Sequence, residues 1–124
     1  MIGPMRVAAC EAKPSPPEAA EAIAGFAERC LRLEVRTWPK PGLVSHVDQG
    51  SHDDMDAATF ARSAAAIRPF LAELAQAGAA RAEMAALRRI GLRAEHAMLA
   101  ATGGVNTHRG AIFGLGLLCA AAGL

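Results

Sequence analysis

The stretch DAATFARSAAAIRPFLAELAQAG, residues 56–78, decides the fold. Its apolar side chains recur every three or four positions, and this set consists of Phe60, Ala64, Ile67, Leu71 and Leu74. That spacing is typical of the buried face of an α-helix. Asp54 or Asp56 can cap the start of this helix, and Pro69 is a point inside it where a kink can form. The stretch therefore predicts a long helix that buries one face in a core.

Three more segments have the helical period, and they cover residues 16–34, residues 80–101 and a last stretch that begins near Asn106 or Thr107. Ser15 and Glu18 form a capping-box pattern around two prolines at the first of these starts. No segment alternates between apolar and polar residues as a strand would. We therefore predict an all-α fold, a helical bundle of about four main helices with a long ordered polar loop at residues 37–56.

The composition limits both the core and the partners. Hydrophobic residues make up 52% of the chain but aromatic residues only 4%, so the core must form by close packing of helices on small side chains. The chain has thirteen basic and twelve acidic residues, and a net charge this close to zero gives no reason to expect a nucleic-acid or anionic-membrane partner. The longest uncharged apolar run, Ala111–Leu124, is too short to span a bilayer and suits a buried helix.

The chain divides into two parts by periodicity. Residues 1–14 have none and are predicted to be a flexible N-terminal segment, whereas residues 15–124 are predicted to form one helical domain. The cysteines are Cys10, Cys30 and Cys119, an odd number at spacings that match no zinc pattern. They indicate reduced thiols and hence a cytoplasmic location.

The polar loop contains the first candidate site, PKPGLVSHVDQGSHDDMD at residues 39–56. Lys40 lies between two prolines that hold its backbone extended, and Gly42 permits close approach of the main chain to a ligand. Carboxylates crowd the second half of the loop, together with His52: Asp48, Asp53, Asp54 and Asp56. A magnesium ion that carries a phosphate is the natural cation for such oxygen ligands. The alternative is that Asp54 and Asp56 only cap the next helix while the others are solvated.

A second candidate site is GGVNTHRG, residues 103–110. Two glycines end one helix and Asn106 or Thr107 begins the next, so free N–H groups would point at a ligand anion. His108 and Arg109 add further donors. The alternative is an ordinary joint between two helices with a good cap.

Three elements of these segments stand in a recognisable order: PKPGLV at Pro39–Val44, G-x-H-x-D-M at Gly50–Met55, and GVNTH with a basic residue and glycine at Gly104–Gly110. In this order they resemble the triphosphoribosyl-dephospho-coenzyme A synthase family, from about residue 20 to the last residue. The resemblance implies an all-helical transferase that joins ATP to 3'-dephospho-coenzyme A and releases adenine. With Ser45 at its position, the loop resembles the family branch that serves malonate decarboxylase more than the branch that serves citrate lyase. Family members continue well beyond this length, so we expect the N-terminal part of a longer enzyme.

The resemblance also implies roles for particular residues. The nucleotide would be held by Lys40, Gly42, Asn106, Thr107 and Arg109. Magnesium would bind with ATP at Asp48 and Asp54. His52 or Asp54 would take the proton of the attacking hydroxyl, and His108 or Asn106 would contact the leaving adenine.

Two other functions stay open at this point: a non-catalytic nucleotide-binding or interaction module, and a magnesium-dependent hydrolase of a nucleotide's N-glycosidic bond.

The last helix has apolar residues on more than one face, including Phe113 and Leu118. Such a helix belongs in the middle of a bundle. We therefore expect the chain to self-associate through this helix, as a homodimer, and to be inactive alone.

Overall fold

The computed structural model describes residues 3–4 and 12–124 of the chain. It contains four helices and, in the described ranges, no strand; the helices are α1 (Pro16–Arg36), α2 (Ala57–Ala79), α3 (Met84–Thr102) and α4 (Arg109–Gly123). The prediction of an all-α fold with four main helices is confirmed. Most of the N-terminal segment that was predicted to be flexible, Cys10 included, lies outside the described residues.

The first helix begins where the capping-box pattern predicts. The Ser15 hydroxyl accepts a hydrogen bond from the backbone N–H of Glu18, and the Glu18 carboxylate accepts one from the backbone N–H of Ser15. The buried face of α1 presents small side chains, Ala20, Ala24 and Ala27, whereas Phe26 is 71% exposed. The core is therefore built by close approach of helices on alanine, as the composition predicts.

Helix α2 is the centre of the bundle because it packs against all three other helices. Asp56 caps its start, so of the two aspartates that the sequence offered it is not Asp54 that serves as the N-cap. The helix continues through Pro69 without a break. Its predicted stripe is confirmed at Ile67 and Leu71, both of which are fully buried.

Glycines let α2 and α4 run side by side at a very short distance. A Cβ atom on Gly78 would overlap the carbonyl oxygen of Ala120, and one on Gly123 would overlap that of Ala75. At these two contacts the backbones of α2 and α4 therefore touch with no side chain between them. In the part of the chain that the structure describes, no helix is long and apolar enough to cross a membrane.

The start of α3 lies four residues later than the predicted position 80. Arg81 adopts a left-handed conformation with φ 55°. The N–H of Ala82 then bonds the carbonyl of Ala77 at 2.9 Å, which closes the end of α2 in the way that a glycine usually does. Residues 80–83 form a turn for this reason, and the predicted boundary was wrong.

Consecutive helices run antiparallel. Glu28 of α1 pairs with Arg68 of α2, and Glu95 of α3 pairs with Arg109 of α4. The loop 37–56 and the connection 103–108 therefore lie at the same end of the bundle, and the turn 80–83 lies at the other. The fold thus brings the two motif-bearing segments to one end.

Candidate functional site

The loop 37–56 is an ordered structure that folds on itself. The N–H of Leu43 bonds the carbonyl of Lys40 at 3.0 Å, with Gly42 at φ 78° in the turn that this bond closes. Gly50 lies against the peptide between Gly42 and Leu43, where a Cβ atom would overlap the backbone. The two glycines therefore bring two parts of the loop together. The predicted contact between Gly42 and a nucleotide stays a prediction.

Asp48 ties the middle of this loop together. One of its carboxylate oxygens accepts a hydrogen bond from the N–H of Gly50 at 2.8 Å, and the other accepts one from Nε1 of Trp38 at 3.4 Å. The buried Ser45 hydroxyl accepts bonds from the backbone N–H groups of Val47 and Asp48. Asp48 thus has a structural role in the loop, whether or not it also binds magnesium.

Lys40 anchors the loop to the end of α1. Its Nζ donates to the backbone carbonyl and to the carboxylate of Glu34, each at 2.6 Å. Only 12% of the Lys40 side chain is exposed, compared with 54% for Glu34. The N–H of His46 bonds the carbonyl of Val35 at 3.0 Å and fixes the same junction. The ammonium group is therefore held at a defined place by Glu34.

The second motif segment joins α3 to α4. Gly103 ends α3 in a left-handed conformation with φ 67°, and Gly104 has φ 93°. The side-chain oxygen of Asn106 accepts a hydrogen bond from the N–H of Arg109 at 3.1 Å. Helix α4 begins at Arg109, so the prediction of a start near Asn106 or Thr107 was wrong by two to three residues. The reason is that the side chains of Thr107 and His108 turn inward and contact Ser63 on α2.

A buried polar cluster joins this segment to α2. The Thr107 hydroxyl bonds the Ser63 hydroxyl at 2.6 Å, and Ser63 Oγ lies 2.6 Å from Nδ1 of His108. The ring of His108 also meets Phe60 edge-on, with 4.9 Å between centroids. Its backbone N–H lies 3.1 Å from the sulfur of Met98. Ser63 is fully buried and His108 is 6% exposed, so this cluster holds the imidazole rigidly.

The electrostatic environment of His108 links the two motif segments. Burial lowers the pKa of His108 below its usual value, because a charged imidazole would lose its hydration. The carboxylate of Glu34 acts in the opposite direction and raises it. Glu34 also accepts the hydrogen bond of Lys40, so one carboxylate bonds the lysine of the first motif and acts on the pKa of the histidine of the second.

Arg109 is held from across the helix pair. Its Nε and one terminal nitrogen both lie 2.7 Å from the same carboxylate oxygen of Glu95 on α3. The arginine side chain is 57% exposed and the glutamate 24%. The guanidinium is therefore placed at the N-terminus of α4, with a partner that would compete with any ligand anion.

The remaining polar residues of the loop differ in exposure and role. Asp56 accepts hydrogen bonds from the backbone and side chain of Thr59, and these bonds lower the pKa of its carboxyl group. Asp53 and Asp54 are exposed, and His52 is half-buried. In residues 3–4 and 12–124, no group of three or more His, Cys, Asp or Glu side chains could hold a metal ion.

A model of the family described as ATP:dephospho-CoA triphosphoribosyl transferase matches residues 20–124. The chain belongs to this family. The matched range includes both motif segments and all of the bundle except the first turn of α1. No solved structure is significantly similar to the chain.

Curated relatives of this family have closely related names. A 2-(5''-triphosphoribosyl)-3'-dephosphocoenzyme-A synthase of Klebsiella pneumoniae is 45% identical over 99% of this chain and 41% of the relative. A synthase of the same name from Escherichia fergusonii is 48% identical over 84% of this chain and 36% of the relative. A probable synthase of Albidiferax ferrireducens is 47% identical over 83% and 36%. The chain thus spans about two fifths of the length of the relatives that it matches.

Two residues at this end of the bundle are missed by a reading of the motifs. Ser63 precedes Ala64 of the apolar stripe on α2, and its burial, which only the fold shows, requires hydrogen-bond partners. From the sequence, Glu34 could line the site or be solvated, with solvation favoured, and only the fold shows that Lys40 returns to it.

Proposed function

We propose that this chain supplies part of the active site of an ATP:dephospho-coenzyme A triphosphoribosyl transferase, at the end of the bundle where residues 37–56 and 103–108 meet. The observation that carries the proposal is the Thr107–Ser63–His108 cluster, together with the Glu34 carboxylate, which bonds Lys40 and opposes the lowering of the pKa of His108 by burial. Family membership supports the same reaction. An arrangement that only capped helices would not need a buried imidazole tied to a second helix.

The triphosphate of ATP would bind between the two segments. Lys40 supplies a positive charge that Glu34 holds in place, and the more exposed Arg109 supplies a second one that Glu95 holds. The N-terminus of α4 contributes backbone donors and a favourable dipole. Asn106 already bonds the N–H of Arg109, so it would shape this cradle more than contact the phosphate itself. Thr107 would act through Ser63.

In the proposed reaction a ribose hydroxyl of dephospho-coenzyme A attacks C1 of the ATP ribose. The new bond joins that oxygen to C1, the bond from C1 to adenine breaks, and adenine leaves with the electron pair. The proton of the hydroxyl goes to a base, for which His52 and Asp54 are the candidates of the loop, and adenine gains one proton on release. Positive charge develops on the sugar, and a nearby carboxylate would stabilise it.

Magnesium is part of the proposal only as an ion that comes with ATP. Both carboxylate oxygens of Asp48 already accept hydrogen bonds, whereas the exposed Asp54 forms none within residues 3–4 and 12–124. Since Mg²⁺ usually keeps several waters and binds through one or two carboxylates and the substrate phosphates, Asp54 is the better candidate. When bound, the ion would offset the charge of the phosphate oxygens.

The product would be the precursor of a prosthetic group for an acyl carrier subunit, and we favour that of malonate decarboxylase over that of citrate lyase because of Ser45. This serine is buried and its hydroxyl organises the loop. A cytoplasmic location belongs to the same proposal, since the reaction consumes ATP and Cys30 and Cys119 are free thiols.

Adenine release tests the proposal. Because the chain spans only part of its relatives, the assay uses a chimera in which it replaces the matched part of the Klebsiella pneumoniae relative. We expect adenine to be released from ATP only when dephospho-coenzyme A is present. Release without the acceptor would indicate the hydrolase instead. A folded chimera that binds ATP and releases no adenine would indicate a binding module, and the parent relative is the positive control.

A further inference from the structure

We infer that Ser63 is a positioning residue that fixes the tautomer of His108: the serine hydroxyl donates to Nδ1, so the ring carries its proton on Nε2 and presents it as a hydrogen-bond donor. The tautomer itself follows from the contacts of the cluster. That the Nε2–H group meets an acceptor atom of the bound nucleotide rests on the proposed function.

Ser63 and His108 are in direct hydrogen-bond contact, with 2.6 Å between Ser63 Oγ and His108 Nδ1. Two arrangements are chemically possible: the hydroxyl donates to an unprotonated Nδ1, or Nδ1–H donates to the hydroxyl oxygen. The tautomer that we infer is the one in which the hydroxyl is the donor and Nδ1 is the acceptor.

The partners of the serine agree with this direction. Ser63 is fully buried, so its hydroxyl proton needs an acceptor inside the protein. The Thr107 hydroxyl donates to Ser63 Oγ, which occupies the serine as an acceptor on that side. In the described residues, the remaining partner of Ser63 is Nδ1 of His108. A single chain of donors thus runs from Thr107 through Ser63 to the imidazole.

The other ring nitrogen reaches the surface. Within residues 3–4 and 12–124, Nε2 of His108 forms no hydrogen bond, yet no buried polar side-chain atom in this part of the chain lacks a partner. Nε2 is therefore not enclosed, although His108 as a whole is buried. His108 itself lies just before α4, at the end of the bundle where the two motif segments meet.

The surroundings favour a neutral ring. Burial lowers the pKa of His108, and its position at the N-terminus of α4 also disfavours a positive charge. The carboxylate of Glu34 on α1 opposes both effects, but it also accepts a hydrogen bond from Lys40 of the loop. Arg109, the next residue, adds a further positive charge. A neutral imidazole can lose its Nε2 proton only by forming an imidazolate, so His108 would orient the nucleotide rather than deliver a proton.

Nitrogen-15 NMR of the imidazole side chains in the whole chain tests the tautomer directly. At a pH where the four histidines are neutral, we expect His108 to show a protonated Nε2 and an unprotonated Nδ1. This measurement needs no substitution. A ring protonated at Nδ1, or an averaged mixture of the two tautomers, would overturn the inference.

Ser63→Ala tests the cause of the tautomer. It should move the His108 signals towards a mixture, because Nδ1 loses its donor. Ser45→Ala is the matched control, since that serine is also buried but bonds only loop backbone. Unchanged His108 signals in folded Ser63→Ala would refute a positioning role.

Addition of ATP separates the inference from the proposed function. We expect the Nε2–H signal of the wild-type chain to shift on binding. If the ring is protonated at Nε2 but its signals do not change when ATP binds, the tautomer is established and His108 is not part of the proposed site.

Discussion

At the scale of single residues, Glu34 connects the two halves of the proposed site. Its carboxylate accepts a hydrogen bond from Lys40 and acts on the pKa of His108. Neither motif contains this residue, yet both depend on it. One carboxylate thus interacts with Lys40 of the first segment and with His108 of the second, although these two residues are far apart along the chain.

The acidic loop allows a test with two adjacent aspartates. Asp54→Asn should weaken nucleotide-dependent magnesium binding at least about tenfold, because it removes a negatively charged oxygen ligand. Asp53→Asn is the control, since both side chains are exposed and only Asp54 matches the family motif. Titration calorimetry of Mg²⁺ with and without ATP measures the effect. Equal losses in the two variants would contradict the assignment of Asp54.

Arg109 offers a second test at this scale. Arg109→Ala should weaken ATP binding about tenfold or more, because a charge-assisted contact contributes about 1.5–3 kcal/mol. Its ion pair with Glu95 competes with the ligand, so Glu95→Gln should leave the affinity unchanged or raise it. Circular dichroism checks that both variants fold. Normal ATP binding by Arg109→Ala would remove this residue from the phosphate cradle.

The residues that short motifs contain could be predicted, and those that the fold brings to them could not. Lys40 and His108 are in the motifs and do lie at the same end of the bundle. Ser63 and Glu34 have no local pattern that marks them, because their roles depend on contacts across 45 and 6 positions of sequence. The predicted roles of Asp48 and Asp54 in magnesium binding stay predictions.

At the scale of helices, the contact between α2 and α4 determines the geometry of the site. The two helices touch backbone to backbone near Gly78 and Gly123. At the other end of α2, Ser63 meets Thr107 just before α4 begins. The glycine contact and the Ser63–Thr107 bond therefore hold α2 and α4 together near both ends of α2.

A methyl group at the glycine contact should be costly. Gly78→Ala should lower the free energy of unfolding by about 1–3 kcal/mol or more, because the added carbon overlaps the backbone at Ala120. Gly114→Ala on α4 is the control: nothing lies within 4 Å of its added carbon, so it should stabilise the helix by up to about 1 kcal/mol. Urea unfolding of the two variants measures both. Equal stability of Gly78→Ala and wild type would contradict the close contact.

Helix boundaries were predictable where a local signal sets them. The capping box at Ser15 is local, and the start of α1 was predicted correctly. The end of α2 was predicted at about Gly78 and lies at Ala79, where Gly78 packs against α4 and Arg81 takes the left-handed position beyond the helix. No feature of the alanine-rich stretch 77–82 indicates that Arg81, and not a glycine, adopts this left-handed conformation. The start of α3 was therefore predicted too early.

At the scale of the whole molecule, the most evident feature is an apolar surface on α3 and α4. A groove of about 500 Å³ lies between these helices, and its lining includes Leu87, Leu92, Ile112, Phe113 and Leu117. Phe113 is 74% exposed and Leu118 66%. Soluble monomers rarely expose a continuous apolar surface of this kind, so the prediction of self-association through α4 has a structural basis.

Light scattering tests self-association. Phe113→Lys should convert the expected dimer to a monomer, because it places a charge in the middle of the contact. Phe26→Lys on α1 is a closely matched control, since its phenylalanine is 71% exposed but lies on another helix. A wild-type chain that is monomeric at high concentration would show that α4 needs no partner.

One NMR titration tests the central claim most directly, that the two motif segments form a single nucleotide site. Backbone amide signals of the chain are followed as ATP is added. We expect residues 37–56 and 103–109 to shift together with one dissociation constant, while the turn 80–83 at the opposite end stays unchanged. Shifts in only one of the two segments, or binding centred on residues 80–83, would contradict the account.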